Sequence, residues 1–147
     1  MSITRSFPIT LDFGNTNTME TNIKFKQYDY GTNFVDVQIE FNSETMDLTD
    51  CEVVAVFRGE KGNIIVDKTV PTRQMLRTLC QIYSATQGRI LLPINKQLLA
   101  ENGKVFAELV IFNSDGTSRI TSPTFNFNVV SSLAILDSNT PQALREG

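Results

Sequence analysis

Residues 103–130 read Gly103-Lys-Val-Phe-Ala-Glu-Leu-Val-Ile-Phe112, then Asn113-Ser-Asp-Gly116, then Thr117-Ser-Arg-Ile-Thr-Ser-Pro-Thr-Phe-Asn-Phe-Asn-Val-Val130. An apolar run rich in β-branched residues, a turn and an alternating run predict a β-hairpin. Residues 113–116 suit a type I turn, with Gly116 free to take the positive φ that closes the loop. In the second arm Phe125, Phe127 and Val129 fall on one side, and Thr124, Asn126 and Asn128 on the other. A period of two predicts one dry face and one wet face.

The same pattern recurs on the N-terminal side. Residues 34–41 alternate most regularly, with Val35, Val37, Ile39 and Phe41 as the core face and Asp36, Gln38 and Glu40 as the wet face. Residues 22–28 place Ile23, Phe25 and Gln27 on one side, and residues 52–59 offer Val53, Ala55 and Phe57 as core. Residues 60–63 read as a turn and 64–68 as a returning strand. Residues 71–78 read as a loop or a helical turn. Residues 79–84 and 89–94 are two more strands, the second closed by Pro93, which has no N–H for a ladder. Residues 95–102 are one short helical turn, capped by Asn95, burying Leu98 and Leu99 and stopped by Gly103. About eight short strands without strand–helix alternation predict an all-β, two-sheet antiparallel sandwich, with a barrel as the alternative.

The ends are less regular. Residues 1–21 read as an N-terminal arm or as an ordinary edge strand bracketed by Pro8 and Gly14. Residues 22–133 form the sandwich. Residues 134–147 contain Asp137-Ser-Asn-Thr-Pro141 and read as a C-terminal linker, as though the polypeptide continues. No apolar core of a signal peptide follows Met1, so folding in a cytosol is expected. The longest apolar run, 53–57, is far too short to span a bilayer, and no membrane partner is expected.

Composition narrows the chemistry. Among 147 residues the net charge is −3, with no basic stripe, which disfavours a nucleic-acid partner. The absence of His removes the commonest general base and metal ligand, and every Ser-His or Cys-His pair. The glycines are spaced as turn residues and make no phosphate loop. The Asp residues suit turns and wet faces. Residues 45–50, with Asp47 and Asp50, lack the glycine and ligand register of a calcium loop. Cys51 and Cys80 are expected as free thiols. No catalytic residue, cofactor site or metal site is expected.

One stretch is apolar on both faces. With Val105, Ala107, Leu109 and Ile111 turned inward, Phe106, Val110 and Phe112 face outward beside Glu108. Val54 and Val56 repeat this on their own strand. Either the chain covers these five residues itself, through 1–21 or 71–78, or Val54, Val56, Phe106, Val110 and Phe112 form a protein interface.

The order of signals resembles a known family. Phe25-Lys-Gln-Tyr-Asp29 precedes the first alternating strand and Asp47-Leu-Thr49 the next. Gly88-Arg-Ile-Leu-Leu-Pro93 leads through Leu98-Leu99 and Asn102-Gly103 to Phe106-Ala-Glu108, and Ile120-Thr-Ser122 leads into Phe125-Asn-Phe127. Over residues 22–133 this is similar to the N-terminal domain of the upper baseplate (BppU-like) proteins of long-tailed phages infecting Gram-positive bacteria. The resemblance implies an immunoglobulin-like sandwich without catalysis. It implies a virion structural protein of the phage tail baseplate, assembled in the host cytoplasm. Its sandwich docks on the baseplate core at the distal tail protein, and the rest of the polypeptide carries the receptor-binding protein for host adsorption. It also implies a homo-oligomer, a trimer, in the full-length protein. The rival reading is a carbohydrate-binding β-sandwich module, against which stand the absence of Trp and the small number of Tyr.

Overall fold

A computed structural model of the chain describes residues 3–59, 76–100 and 102–133. Their strands are β1 (Arg5–Asp12), β2 (Lys24–Lys26), β3 (Asn33–Phe41), β4 (Glu44–Thr45), β5 (Glu52–Gly59) and β6 (Leu76–Leu79). They continue with β7 (Gln81–Ser84), β8 (Arg89–Pro93), β9 (Gly103–Phe112), β10 (Arg119–Thr121) and β11 (Phe125–Val130). A 3-10 turn, Lys96–Leu99, is the helical element. One sheet has the order β1-β3-β8-β7, with β4 on β3; the other has β2-β11-β9-β5-β6, with β10 on β9. The chain is therefore an all-β sandwich. Its central pairings are antiparallel, and each sheet carries one parallel edge strand, β1 on β3 and β2 on β11.

The inner faces follow the period of two. Val35, Val37 and Ile39 of β3 meet Val53, Ala55 and Phe57 of β5 and Val105, Ala107 and Leu109 of β9 within one buried cluster. Phe127 lies at 0% exposure, edge-on to Phe25 at 5.0 Å and to Phe57 at 6.3 Å between ring centroids. Phe7 of β1 meets Phe25 of β2 edge-on at 5.2 Å, which ties the two sheets along that side.

The hairpin turn is as expected. Gly116 N–H donates to Asn113 C=O at 3.1 Å, and Gly116 has φ +75°. The second arm, however, is two strands. Thr121 pairs with Val110 but Phe125 pairs with Ala107, so the register slips by one residue across 122–124. Pro123, without an N–H, sits in this bulge, and Ser122 replaces the missing ladder bond: its Oγ accepts Leu109 N–H at 2.9 Å. The extra residue switches the inward parity from Ile120 to Phe125.

Of the two readings of the N-terminal stretch, residues 5–12 take that of an edge strand, paired along its whole length with β3. Other expectations are corrected. Residues 79–84 are split: β6 belongs to one sheet and β7 to the other, and the chain crosses at Cys80. Phe41 is 42% exposed because β3 ends there in a two-residue turn, Asn42 and Ser43, both at positive φ. Asn95 makes no side-chain cap; its amide donates weakly to Thr78 Oγ1 at 3.4 Å, while Leu98 and Leu99 are buried as expected. Asn126, read as wet, is fully buried. The segment before β2 lies against it, with Thr21 Oγ1 donating to Asn126 C=O and Thr21 N–H to Asn126 Oδ1 at 3.4 Å. The readings of 60–63 and 64–68, part of that of 71–78, and the linker at 134–147 lie outside the described residues.

Candidate functional site

The two outer faces of the sandwich differ in degree: the β3/β8 face also carries half-buried Phe34, Leu91 and Pro93, but its exposed part is polar. On the β3/β8/β7 face a polar network closes on itself. Tyr83 Oη donates to Asp36 Oδ1 at 2.6 Å, and Arg89 donates to Asp36 Oδ2 at 3.0 Å, to Tyr83 Oη at 2.9 Å and to Gln38 Oε1 at 3.3 Å. The hydrogen bond to the Asp36 carboxylate pushes the Tyr83 hydroxyl above its ordinary pKa. The described residues include no cluster of three or more His, Cys, Asp or Glu that could hold a metal ion. Asp47, of the stretch weighed as a calcium loop, instead caps its own turn, accepting Thr49 N–H at 2.9 Å and Thr49 Oγ1 at 2.5 Å.

The face of β5 and β9 is apolar. Register alone builds it: Val54 lies opposite Val110, Val56 opposite Glu108, Arg58 opposite Phe106 and Glu52 opposite Phe112. Because β5 and β9 are adjacent and in phase, Val54, Val56, Phe106, Val110 and Phe112 share one outer face. Val54 and Val110, flanked on both sides, are buried, while Val56, Phe106 and Phe112 are half-buried. Glu108 interrupts the stripe, and its Oε2 accepts Thr124 Oγ1 at 2.8 Å.

Neighbouring strands extend the face. Leu79 of β6 pairs with Val54 and is 64% exposed; Arg77 pairs with Val56; Arg119 of β10 pairs with Phe112. Arg58 Cζ stands 5.8 Å from the Phe106 ring centroid, and Arg119 Cζ 6.0 Å from that of Phe112. These cation–π contacts hold the guanidinium planes over apolar surface. The result is an apolar stripe with three exposed arginines at its rim. Two hollows open on it. One of about 130 Å³ lies between Val56, Arg58, Phe106 and Glu108, the other of about 340 Å³ between Val56, Arg77, Val110, Phe112 and Arg119. A third of about 570 Å³ adjoins the stripe where Arg77 and Phe112 meet Asp50, Glu52 and Asp115.

Six residue steps at about 3.3 Å by three strand spacings of about 4.8 Å give this face roughly 20 by 14 Å. A stable interface covers about 800 Å² on each partner, so the stripe has the size of an interface centre. Sequence reasoning missed Leu79 and the three arginines. Arg58 and Arg119 carry the outward phase of their strands, but Leu79 and Arg77 become neighbours only once β6 is known to pair with β5.

Comparison with known proteins gives two findings. A family model described as the BppU N-terminal domain matches residues 5–145. Among matching solved structures, the N-terminal domain of phage TP901-1 ORF48 superimposes with a TM-score of 0.65 at 14% identity, covering 86% of this chain and 98% of that one. At that identity the structural likeness speaks for the fold. No curated protein matches the chain in sequence.

Proposed function

The chain belongs to the BppU N-terminal domain family of phage baseplate structural proteins, and from that premise we propose that it is an adaptor that joins the receptor-binding protein to the core of the tail baseplate. In this reading the sandwich seats on the distal tail protein, and the polypeptide beyond it carries the receptor-binding protein for host adsorption. Assembly takes place in the host cytoplasm, with the full-length protein as a homo-oligomer, a trimer.

The observation that carries the proposal is the contrast between the two outer faces. One satisfies its polar groups internally through Asp36, Tyr83, Arg89 and Gln38. The other turns Val56, Phe106, Phe112 and Leu79 toward the outside. Apolar surface in water costs roughly 25 cal/mol per Å², which burial against a partner recovers. Val54, Val56, Phe106, Val110 and Phe112 are accordingly proposed as the docking residues, with Phe112 as an anchor.

The test is assembly. Phe112→Glu is expected to leave the melting temperature of the domain nearly unchanged while preventing its co-purification with co-expressed baseplate proteins. A variant that melts cooperatively and still co-purifies at wild-type stoichiometry moves the docking surface elsewhere.

A further inference from the structure

The rim of the β5/β9 face specifies more than an apolar contact. Arg58, Arg77 and Arg119 are all exposed on this one face of a chain whose net charge is −3. The ion pairs among the described residues, Arg5–Asp29, Arg89–Asp36 and Lys104–Glu20, include none of the three. Of the carboxylates near this face, Glu108 is engaged by Thr124, Glu52 stands at the end of β5 beside Phe112, and Asp50 and Asp115 share with Glu52, Arg77 and Phe112 an adjoining hollow of about 570 Å³. The hollow of about 340 Å³ has Val56, Val110 and Phe112 as its apolar surfaces and Arg77 and Arg119 as its charged ones. Among the described residues no carboxylate lines it.

Resting on the docking reading above, we propose that this hollow receives a carboxylate-bearing segment of the partner protein, its carboxylate bound between Arg77 and Arg119 and an adjoining apolar side chain laid on Val56, Val110 and Phe112. Guanidinium groups are weakly hydrated and planar, and they grip a carboxylate with two parallel N–H donors. Arg119 is held over Phe112, so less of its freedom is lost on binding. Once the segment is seated, its contact with Val56 and Phe112 shields an ion pair formed there from water and so strengthens it. The asymmetry of the stripe follows: the smaller hollow at Arg58 already contains Glu108, whereas the one of about 340 Å³ has two arginines and, among the described residues, no carboxylate, Arg77 meeting Asp50, Glu52 and Asp115 in the adjoining hollow.

The experiment titrates the full chain against the baseplate complex assembled without it, at 50 and 500 mM NaCl. Three variants are compared: Arg77→Glu, Arg119→Glu and Phe112→Ser, each first shown to melt as wild type does. Affinity is expected to fall on the order of tenfold or more for each charge reversal, and wild-type binding to weaken several-fold with salt. Phe112→Ser binding tightly no longer, with both arginine reversals and the salt series neutral, overturns the carboxylate and leaves the docking face standing. All three variants binding as wild type overturns both. Saturable binding of inorganic polyphosphate through the same two arginines, with none of the baseplate complex, also overturns the proposal.

Discussion

Phe127→Ala tests the centre of the sandwich. Phe127 has no exposed surface and touches Phe25 edge-on at 5.0 Å and 82° and Phe57 at 6.3 Å and 70°. Removing the ring forfeits about 2–3 kcal/mol of transfer free energy. It leaves a void of roughly 100 Å³, which at about 24 cal/mol per Å³ adds up to about 2 kcal/mol where neighbours do not collapse. Two aromatic contacts are lost with it, at about 0.5–1.5 kcal/mol each, partly counted in the burial. The expected loss is about 4–5 kcal/mol. With a urea m-value of about 1.5–2 kcal/mol/M, the midpoint should fall by about 2–3 M. Asn128→Ala, on the half-buried outer side of the same strand, is the control and should cost less than about 1 kcal/mol. A Phe127→Ala loss below about 2 kcal/mol, or one equal to the control, would show that the inward phase of β11 is misread.

Three more outcomes follow from local geometry. Gly88 has φ +65°, and a Cβ there would lie 2.6 Å from Met46 C=O and 2.8 Å from Ile39 C=O, both backbone oxygens; Gly88→Ala should cost about 2–4 kcal/mol in the same urea titration. The Asp12 carboxylate accepts N–H bonds from Gly14, Asn42 and Ser43, which hold its pKa below the ordinary value of 3.8 against a smaller opposing effect of desolvation. Its stabilising contribution is therefore present above the unfolded pKa and lost as pH falls through the lowered folded one, so Asp12→Asn should flatten the acid limb of a melting-temperature profile below about pH 4. Burial pushes the Cys80 thiol up to about 12. In folded protein at pH 8 it should react with iodoacetamide far more slowly than an unfolded control, as peptide mass mapping would show, and its contribution to stability should fall as pH rises from about 9 toward 12.

Much of this fold is legible residue by residue, because local alternation is what a half-buried strand requires. Val35, Val37 and Ile39 and the inward set of β9 needed nothing beyond the period of two. The five outward residues of β5 and β9 were identifiable for the same reason: a strand with apolar residues in both phases violates that period. What escaped was long-range. The burial of Asn126 depends on Thr21, 105 positions away. The crossing at Cys80 and the parallel pairing of β1 leave no local trace, since either neighbour suits the same alternation. The bulge did leave one, Ile120 and Phe125 being out of phase with a proline between them, but a single-strand reading of residues 117–130 smooths it over.

The two layers are not joined alike at their two sides. Along one side β6 passes into β7 through the single residue Cys80, so backbone continuity itself seals the sandwich there. Along the other, β1 and β2 are linked by residues 13–23, and the Phe7–Phe25 ring contact closes the gap. The domain is thus built like a bound volume, with a covalent spine and a fore-edge kept shut by two aromatic leaves. Amide exchange is expected to be faster at the fore-edge, where the connection is longer, as hydrogen-exchange mass spectrometry would show. The β5/β9 stripe lies toward the spine, so the face proposed for docking stands away from the longer connection.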